Sequence, residues 1–346
     1  MQPIRFGITG SGYMGRTHAE AIKLIGPAEA SLSAIWGGSR APDLAQRFSV
    51  ACEPTLESFA RRKDIDAVFV TTASTQHTAD ALAAIENGKH VLLEKPMALS
   101  AADCDQIIDA AKRRGVYLGV AFNLRFRMNP PKAKELIDSG AIGRIQSMHW
   151  SMLRRLDDNF GGDKVARWHK SGNPGFYIDG LPHGIDLMRW FTGSEVKRVA
   201  AYCRSFLQNP EVEDTDAGIL ELGDGSICSF HTTMAGHAPY PGEEARLSVV
   251  GSKGMLDIDN FGRMHLSDKA GGWRLVSTQP AVPFADPEHA FTSLGRMQAY
   301  IDQIQAFIAG VRGQPTRIAS GADGRASIAV CEAIMNSSRT GTFVSV

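Results

Sequence analysis

The chain has 346 residues, 43% hydrophobic and 21% charged, which supplies apolar material for two compact units at roughly 100–200 residues each. Lys plus Arg and Asp plus Glu number 37 each, so no net field invites nucleic acid or an anionic membrane, and a small molecule is the expected partner. The five cysteines (Cys52, Cys104, Cys203, Cys228 and Cys331) include no C-x-x-C pair and read as unpaired thiols of a reducing compartment rather than a disulfide framework or zinc site.

The N-terminal stretch runs straight into a strand with no charged leader, and no apolar run nears the ~18 residues of a spanning helix, so a cytoplasmic location is expected. Strand and helix signals then alternate. Strands are predicted at Ile4–Thr9, Leu32–Trp36, Ala67–Thr72, His90–Glu94 and Tyr117–Phe122. Helices are predicted at Thr17–Ile25, Ala41–Phe48, Thr78–Asn87 and Ala101–Arg114, with glycines closing the last two. This rhythm predicts an α/β fold: a doubly wound parallel sheet over residues 1–122.

From residue 123 the pattern changes. Helices are expected at Pro131–Ser139, His183–Phe191, about 295–312 and about 320–338. Strands are expected at Ile145–Leu153, Val196–Leu207, Ala217–Leu222, Ser226–Thr233, Arg246–Val250, Met255–Asp259, Arg263–Leu266 and Trp273–Ser277. Gly223-Asp224-Gly225 and Ser252-Lys253-Gly254 read as hairpin turns. Residues 123–346 are therefore expected to form an α+β domain with a large, mainly antiparallel open sheet. Its uncovered face makes a homodimer or homotetramer the expected assembly.

Gly10-Ser11-Gly12-Tyr13-Met14-Gly15 fits G-x-G-x-x-G, and it both follows a predicted strand and opens a predicted helix. In that context the first glycine permits a tight turn, the second lets the backbone approach a pyrophosphate, and the third lets helix and strand pack closely. The helix N-terminus adds free N–H groups. The motif predicts a Rossmann unit that binds a dinucleotide. The second strand ends in Trp36-Gly37-Gly38-Ser39-Arg40, without the Asp or Glu that bonds the ribose hydroxyls of NAD. The Arg40 guanidinium beside the small Ser39 suits a 2′-phosphate, so NADP(H) is favoured, with NAD(H) possible.

Further motifs lie in order along the chain: Thr72-Ala73-Ser74-Thr75-Gln76-His77, Glu94-Lys95-Pro96 at the end of the predicted fourth strand, Phe122-Asn123-Leu124-Arg125-Phe126, Gly140-Ala141-Ile142-Gly143, and Asp179 through Trp190. Together with the glycine loop they resemble the glucose–fructose oxidoreductase/inositol dehydrogenase/MocA family. Ala73 and Ser74 depart from its usual Pro and Asn. The resemblance implies a nicotinamide-dependent oxidoreductase that interconverts a secondary alcohol and a ketone, or a lactol and a lactone, on a sugar, cyclitol or related polyol. It implies cofactor contacts from Thr72, His77, Glu94 and Lys95, and a catalytic set of Lys95, Asp179 and His183, with His183 as general acid/base. Lys95 at a strand end can hydrogen-bond the substrate oxygen, and Pro96 stops the strand so as to aim it there. Asp179 and His183, four apart, would share a helix face, where a carboxylate can orient an imidazole.

Asn123 and Arg125 are candidates for substrate or nicotinamide contact, as are Trp168 and His169, whose indole would suit the apolar face of a sugar. Arg154-Arg155 and Asp157-Asp158 read as a specificity loop or a solvated charge run. Asp179, His183 and Asp186 could offer three metal ligands, but no spaced His/Cys pair supports them and no metal is expected. Two other readings stay open: a glycoside-cleaving enzyme of the same fold that uses NAD transiently, and a dinucleotide-binding sensor without chemistry.

Overall fold

A computed structural model of the chain describes residues 2–154, 175–206, 212–236, 244–268, 271–280, 291 and 293–346. Its elements run β1 (Ile4–Thr9), α1 (Tyr13–Ile25), β2 (Ala30–Trp36), α2 (Ala41–Phe48), β3 (Ala51–Cys52), α3 (Leu56–Ala60), β4 (Ala67–Val70), α4 (His77–Glu86), β5 (His90–Leu93), α5 (Ala101–Arg114), β6 (Leu118–Val120), α6 (Asn129–Asp138) and β7 (Ile145–Leu153). They continue α7 (Phe176–Asp179), α8 (Leu181–Thr192), β8 (Val196–Arg204), β9 (Thr215–Leu222), β10 (Ile227–Thr233), β11 (Glu244–Gly251), β12 (Gly254–Asp259), β13 (Arg263–Asp268), β14 (Trp273–Thr278), α9 (Leu294–Val311), β15 (Ala319–Ser320), α10 (Gly321–Thr340) and β16 (Val344–Ser345). Two units form: Met1–Asn123 with Arg296–Arg325, and Leu124–Gly295 with Ala326–Val346.

The first unit holds a seven-stranded sheet ordered β15-β6-β5-β4-β1-β2-β3, parallel except where β15 joins β6. Every residue of β4, Ala-Val-Phe-Val, is buried, as a central strand covered on both faces must be. Helix α5 shows how local chemistry sets the ends. The Ser100 hydroxyl accepts the Asp103 N–H at 3.1 Å at its start, and Gly115 ends it in the left-handed region, while Cys104, Ile107, Ala110 and Ala111 face inward. The returning α9 brings Phe307 to Phe6 and Phe69, with ring centroids 6.3 Å from each. Because the strands are parallel, Gly10, Ser39, Thr72, Lys95 and Asn123 all follow carboxyl ends and gather at one edge of the sheet.

The second unit holds nine strands in the order β14-β13-β12-β11-β7-β10-β9-β8-β16. Both predicted hairpins form, β9 with β10 and β11 with β12. One pair departs from hairpin logic: β7 and β10 run parallel at the centre of an otherwise antiparallel sheet. Helices α6, α7 and α8 pack on one face. There Trp150 of β7 is fully buried against Gly184 of α8, where a β-carbon would meet the indole at 2.6 Å. The opposite face leaves Tyr202, Ile219 and Ile227 exposed on β8, β9 and β10.

Candidate active site

The glycine loop gives each of its glycines a separate task. Gly10 has φ +92°, and a β-carbon there would lie 2.6 Å from the Thr71 carbonyl oxygen, while its own N–H donates to Trp36 O at 2.7 Å. A β-carbon on Gly15 would collide with the Gly10 carbonyl, so α1 can pack this closely on β1 only with glycine. Gly12 is different, because a β-carbon there would meet no heavy atom of the described residues within 4 Å. Open space therefore lies over the start of α1, whose first N–H groups receive no side-chain cap. A dinucleotide pyrophosphate fits that combination of room and a helix start without a side-chain cap. Tyr13, 40% exposed, and the half-buried Met14 flank it.

Two residues that sequence reasoning missed support this loop. Arg296, 2% exposed, places its guanidinium 4.8 Å from the ring centroid of Tyr13 and 4.9 Å from that of Tyr300, and donates to the Thr17 hydroxyl at 3.0 Å. The Tyr300 hydroxyl accepts from Asn123 Nδ2 at 3.0 Å. Both belong to α9, whose apolar spacing reads only as core, so nothing local announces them.

Beyond β2, Ser39 and Arg40 are exposed at the start of α2, and Arg40 makes no ion pair with a described residue.

At the ends of β4 and β5 the side chains mostly serve one another. The Thr72 hydroxyl donates to Asp80 at 2.6 Å, and burial raises the Asp80 carboxyl above its usual range. His77 is buried, with Nδ1 2.7 Å from Pro96 O and Nε2 3.2 Å from Thr72 O, and burial lowers its imidazole so that it stays neutral near pH 7. It clamps the loop after β4 to the loop after β5. Glu94 turns inward too: Oε1 lies 2.9 Å from His18 Nε2, and Oε2 accepts the Lys95 N–H at 3.2 Å. His18 in turn stacks on Phe69 at 4.6 Å. Lys95, half-buried, thus stands on a backbone fixed from both sides.

In the second unit, Asp179 and His183 do not share one regular helix. Asp179 ends the single turn α7, and His183 is the third residue of α8, which begins two residues earlier than expected because Leu181 and Pro182 already have helical geometry. Arg154, at the end of β7, places Nη1 4.0 Å from Asp179 Oδ2 with its side chain largely buried, which corrects the reading of a solvated charge run at that residue. His183 is buried. Arg125 and Asp186 form a two-pronged ion pair, Nε to Oδ2 at 2.8 Å and Nη2 to Oδ1 at 2.6 Å, both buried, with the guanidinium 5.5 Å from the Trp190 ring. Asp186 is therefore engaged by a cation rather than offered to a metal. Arg125→Leu should lower stability by about 3–5 kcal/mol by stripping a buried carboxylate of this partner; urea unfolding of both chains measures it. Trp168, His169, Arg155, Asp157 and Asp158 lie outside the described residues.

Comparison with known proteins assigns both halves of the chain. Residues 4–122 match the family described as "Oxidoreductase family, NAD-binding Rossmann fold", and residues 131–257 match "GFO/IDH/MocA C-terminal domain". The chain belongs to the Gfo/Idh/MocA oxidoreductases. The resemblance seen in the motifs is thus established, and with it a nicotinamide dinucleotide as the class of cofactor. Among its Gfo/Idh/MocA relatives, myo-inositol 2-dehydrogenase of Thermotoga maritima is 27% identical, over 94% of this chain and 93% of that protein. The scyllo-inositol 2-dehydrogenase (NAD(+)) of Bacillus subtilis is 28% identical over 80% and 76%. A levoglucosan dehydrogenase solved with NADH and levoglucosan superposes with a TM-score of 0.86 at 25% identity, covering all of both chains. No helix among the described residues is long and apolar enough to cross a membrane.

Proposed function

We propose that this protein is a dehydrogenase or reductase that interconverts a secondary alcohol and a ketone, or a lactol and a lactone, on a sugar, cyclitol or related polyol. The observation that carries this reading is Lys95. Its ammonium follows β5 at the same sheet edge as the glycine loop, on a backbone held by Glu94. The relatives named for inositols and levoglucosan support the substrate class.

In the oxidising direction His183 takes the hydroxyl proton while the Lys95 ammonium donates a hydrogen bond to the same oxygen and stabilises its developing negative charge. A bound nicotinamide supplies the acceptor for the carbon-bound hydride. Asp179 sets the charge around the imidazole, with Arg154 beside it. Gly10, Gly12, Tyr13, Met14 and Gly15 hold the dinucleotide, and Thr72 lines its path. His77 and Glu94 act through the loops they fix. Asn123, Trp168 and His169 contact the substrate, and Arg125 supports α8 through Asp186. A panel of inositols, polyols, aldoses and anhydro-sugars, followed by nicotinamide absorbance, tests the reading; no turnover of any CH–OH compound with either cofactor would overturn it.

The exposed Arg40 beside Ser39 favours NADP(H) over NAD(H). NADPH should bind more tightly than NADH, and Arg40→Ala should cut that preference about tenfold. Tighter binding of NADH by the unaltered protein would remove this preference. Tyr202, Ile219 and Ile227 on neighbouring strands fit a second copy of the chain covering the open sheet, which sedimentation would detect.

A further inference from the structure

A second cluster of ionisable groups lies in the second unit, around the one-turn helix that carries Asp179. Such a helix has too few internal bonds to hold itself and depends on outside partners. Both of its leading N–H groups end on Glu213: Tyr177 N–H donates to Oε1 at 2.7 Å, and Phe176 N–H donates to the Glu213 backbone carbonyl at 3.3 Å. Gly175, at φ +138°, is where a β-carbon would collide with that carboxyl oxygen, so Glu213 occupies the place of a side chain at the helix entrance. Glu213 is 8% exposed, and the neighbouring Asp216 is 0% exposed.

As carboxylates, Glu213 and Asp216 leave Oε2 and Oδ1 buried without a hydrogen-bond partner among the described residues. One proton shared by the two carboxyls satisfies both atoms at once. Asp216 then accepts from the Thr232 hydroxyl at 3.2 Å and, through the shared proton, from Glu213. The acid–base balance agrees. Burial, then the Asp216 charge, pushes Glu213 up to about 10, and burial pushes Asp216 up to about 6, so at neutral pH the pair holds one proton. The other titratable groups facing this cluster are Tyr177 on α7, Cys203 on β8, Asp214 just before β9, and Cys331 and Glu332 on α10. The Cys331 thiol also donates to the Tyr177 carbonyl at 3.3 Å.

We infer that Glu213 is a positioning residue for the reaction: sharing a proton with Asp216, it pins the start of α7 and so places Asp179, and it releases that segment when the proton is lost. The inference rests on the reading of Asp179 as a member of the catalytic set. Loss of the proton puts two buried carboxylates side by side, and their repulsion drives Glu213 away from the Tyr177 N–H. Glutamine at 213 keeps an acceptor for Tyr177 and a donor for Asp216 but cannot ionise.

Glu213→Gln and Glu213→Ala, with Asp179→Asn as reference, test this through turnover and through hydrogen exchange at the Tyr177 amide. Glu213→Ala should lower kcat about tenfold or more and speed that exchange similarly, with dinucleotide affinity unchanged. Glu213→Gln should keep near-normal turnover and exchange at neutral pH, and should lack the exchange increase that the unaltered protein shows as pH approaches about 10. Stability supplies a third readout. The native carboxyl holds its proton between its ordinary 4.5 and about 10 while the unfolded one does not, so stability falls as pH rises through that window. In Glu213→Gln this part of the slope should vanish. If Glu213→Ala does not fold, the Gln comparison still decides, and an alkaline exchange profile and stability slope identical to those of the unaltered protein would overturn the latch. Full turnover in Asp179→Asn would remove the catalytic reading beneath it. Loss of turnover there, with normal turnover and exchange in Glu213→Ala, would sink the latch alone.

Discussion

Lys95→Ala should lower kcat by about 10³-fold or more while leaving dinucleotide affinity within a few-fold of its starting value. The split follows from where the lysine stands. Its backbone is held by Glu94, which is itself fixed by His18, and the neighbouring Pro96 carbonyl is held by His77. None of these partners is removed with the ammonium, so the loop keeps its shape. What disappears is a charge-assisted donor to the substrate oxygen at the moment negative charge develops there. Lys95→Arg should not restore turnover, since a larger planar guanidinium cannot take the place of a compact point charge beside the substrate oxygen. His183→Ala should lose about 10²–10⁴-fold for want of a proton acceptor. Steady-state kinetics beside equilibrium binding of the reduced cofactor checks both, and turnover within twofold of normal in both variants would end the proposed chemistry.

The glycine loop yields the second large effect, as a contrast between two neighbours. Gly15→Ala drives a methyl into the Gly10 carbonyl with Thr71 Oγ1 3.1 Å away, and backbone cannot step aside as a flexible side chain would. It should lower stability by about 3 kcal/mol and abolish measurable dinucleotide binding, because α1 must slide off β1. Gly12→Ala places its methyl in open space at φ −74°, a value any residue adopts, so stability should be unchanged or slightly higher. Yet its affinity for dinucleotide should fall about 100-fold, since the methyl fills the room a pyrophosphate needs. Thermal unfolding and calorimetric titration separate the two outcomes. Normal binding by Gly12→Ala would show that the pyrophosphate does not approach there.

Local patterns were legible where local physics decides them. β1, α2, α5 and β7 have the bounds their spacing predicts, because alternation, caps and closing glycines act within a few residues. Helix α1 starts at Tyr13 rather than Thr17, since its first turn is set by the glycine bend and carries no apolar stripe. The parallel β7–β10 pair was not legible, because partners so far apart in sequence leave no mark in the spacing of either strand. Nor was the engagement of Arg125 by Asp186, residues that read separately as a substrate or nicotinamide contact and as one of three conceivable metal ligands. The motifs singled out Lys95, Asp179 and His183 as candidates. Arg154, Glu213, Arg296 and Tyr300 needed coordinates, since each matters only through a neighbour distant along the chain.

The return of Arg296–Arg325 to the first unit has an effect on biosynthesis. A nascent polypeptide that has emerged only as far as Asn123 lacks Phe307 against Phe6 and Phe69, and it leaves β6 as a bare edge where β15 belongs. The third of the chain translated first therefore cannot complete its unit until Arg325 has been made, late in the message. Expression of residues 1–123 alone should yield an aggregation-prone fragment rather than a working nucleotide module.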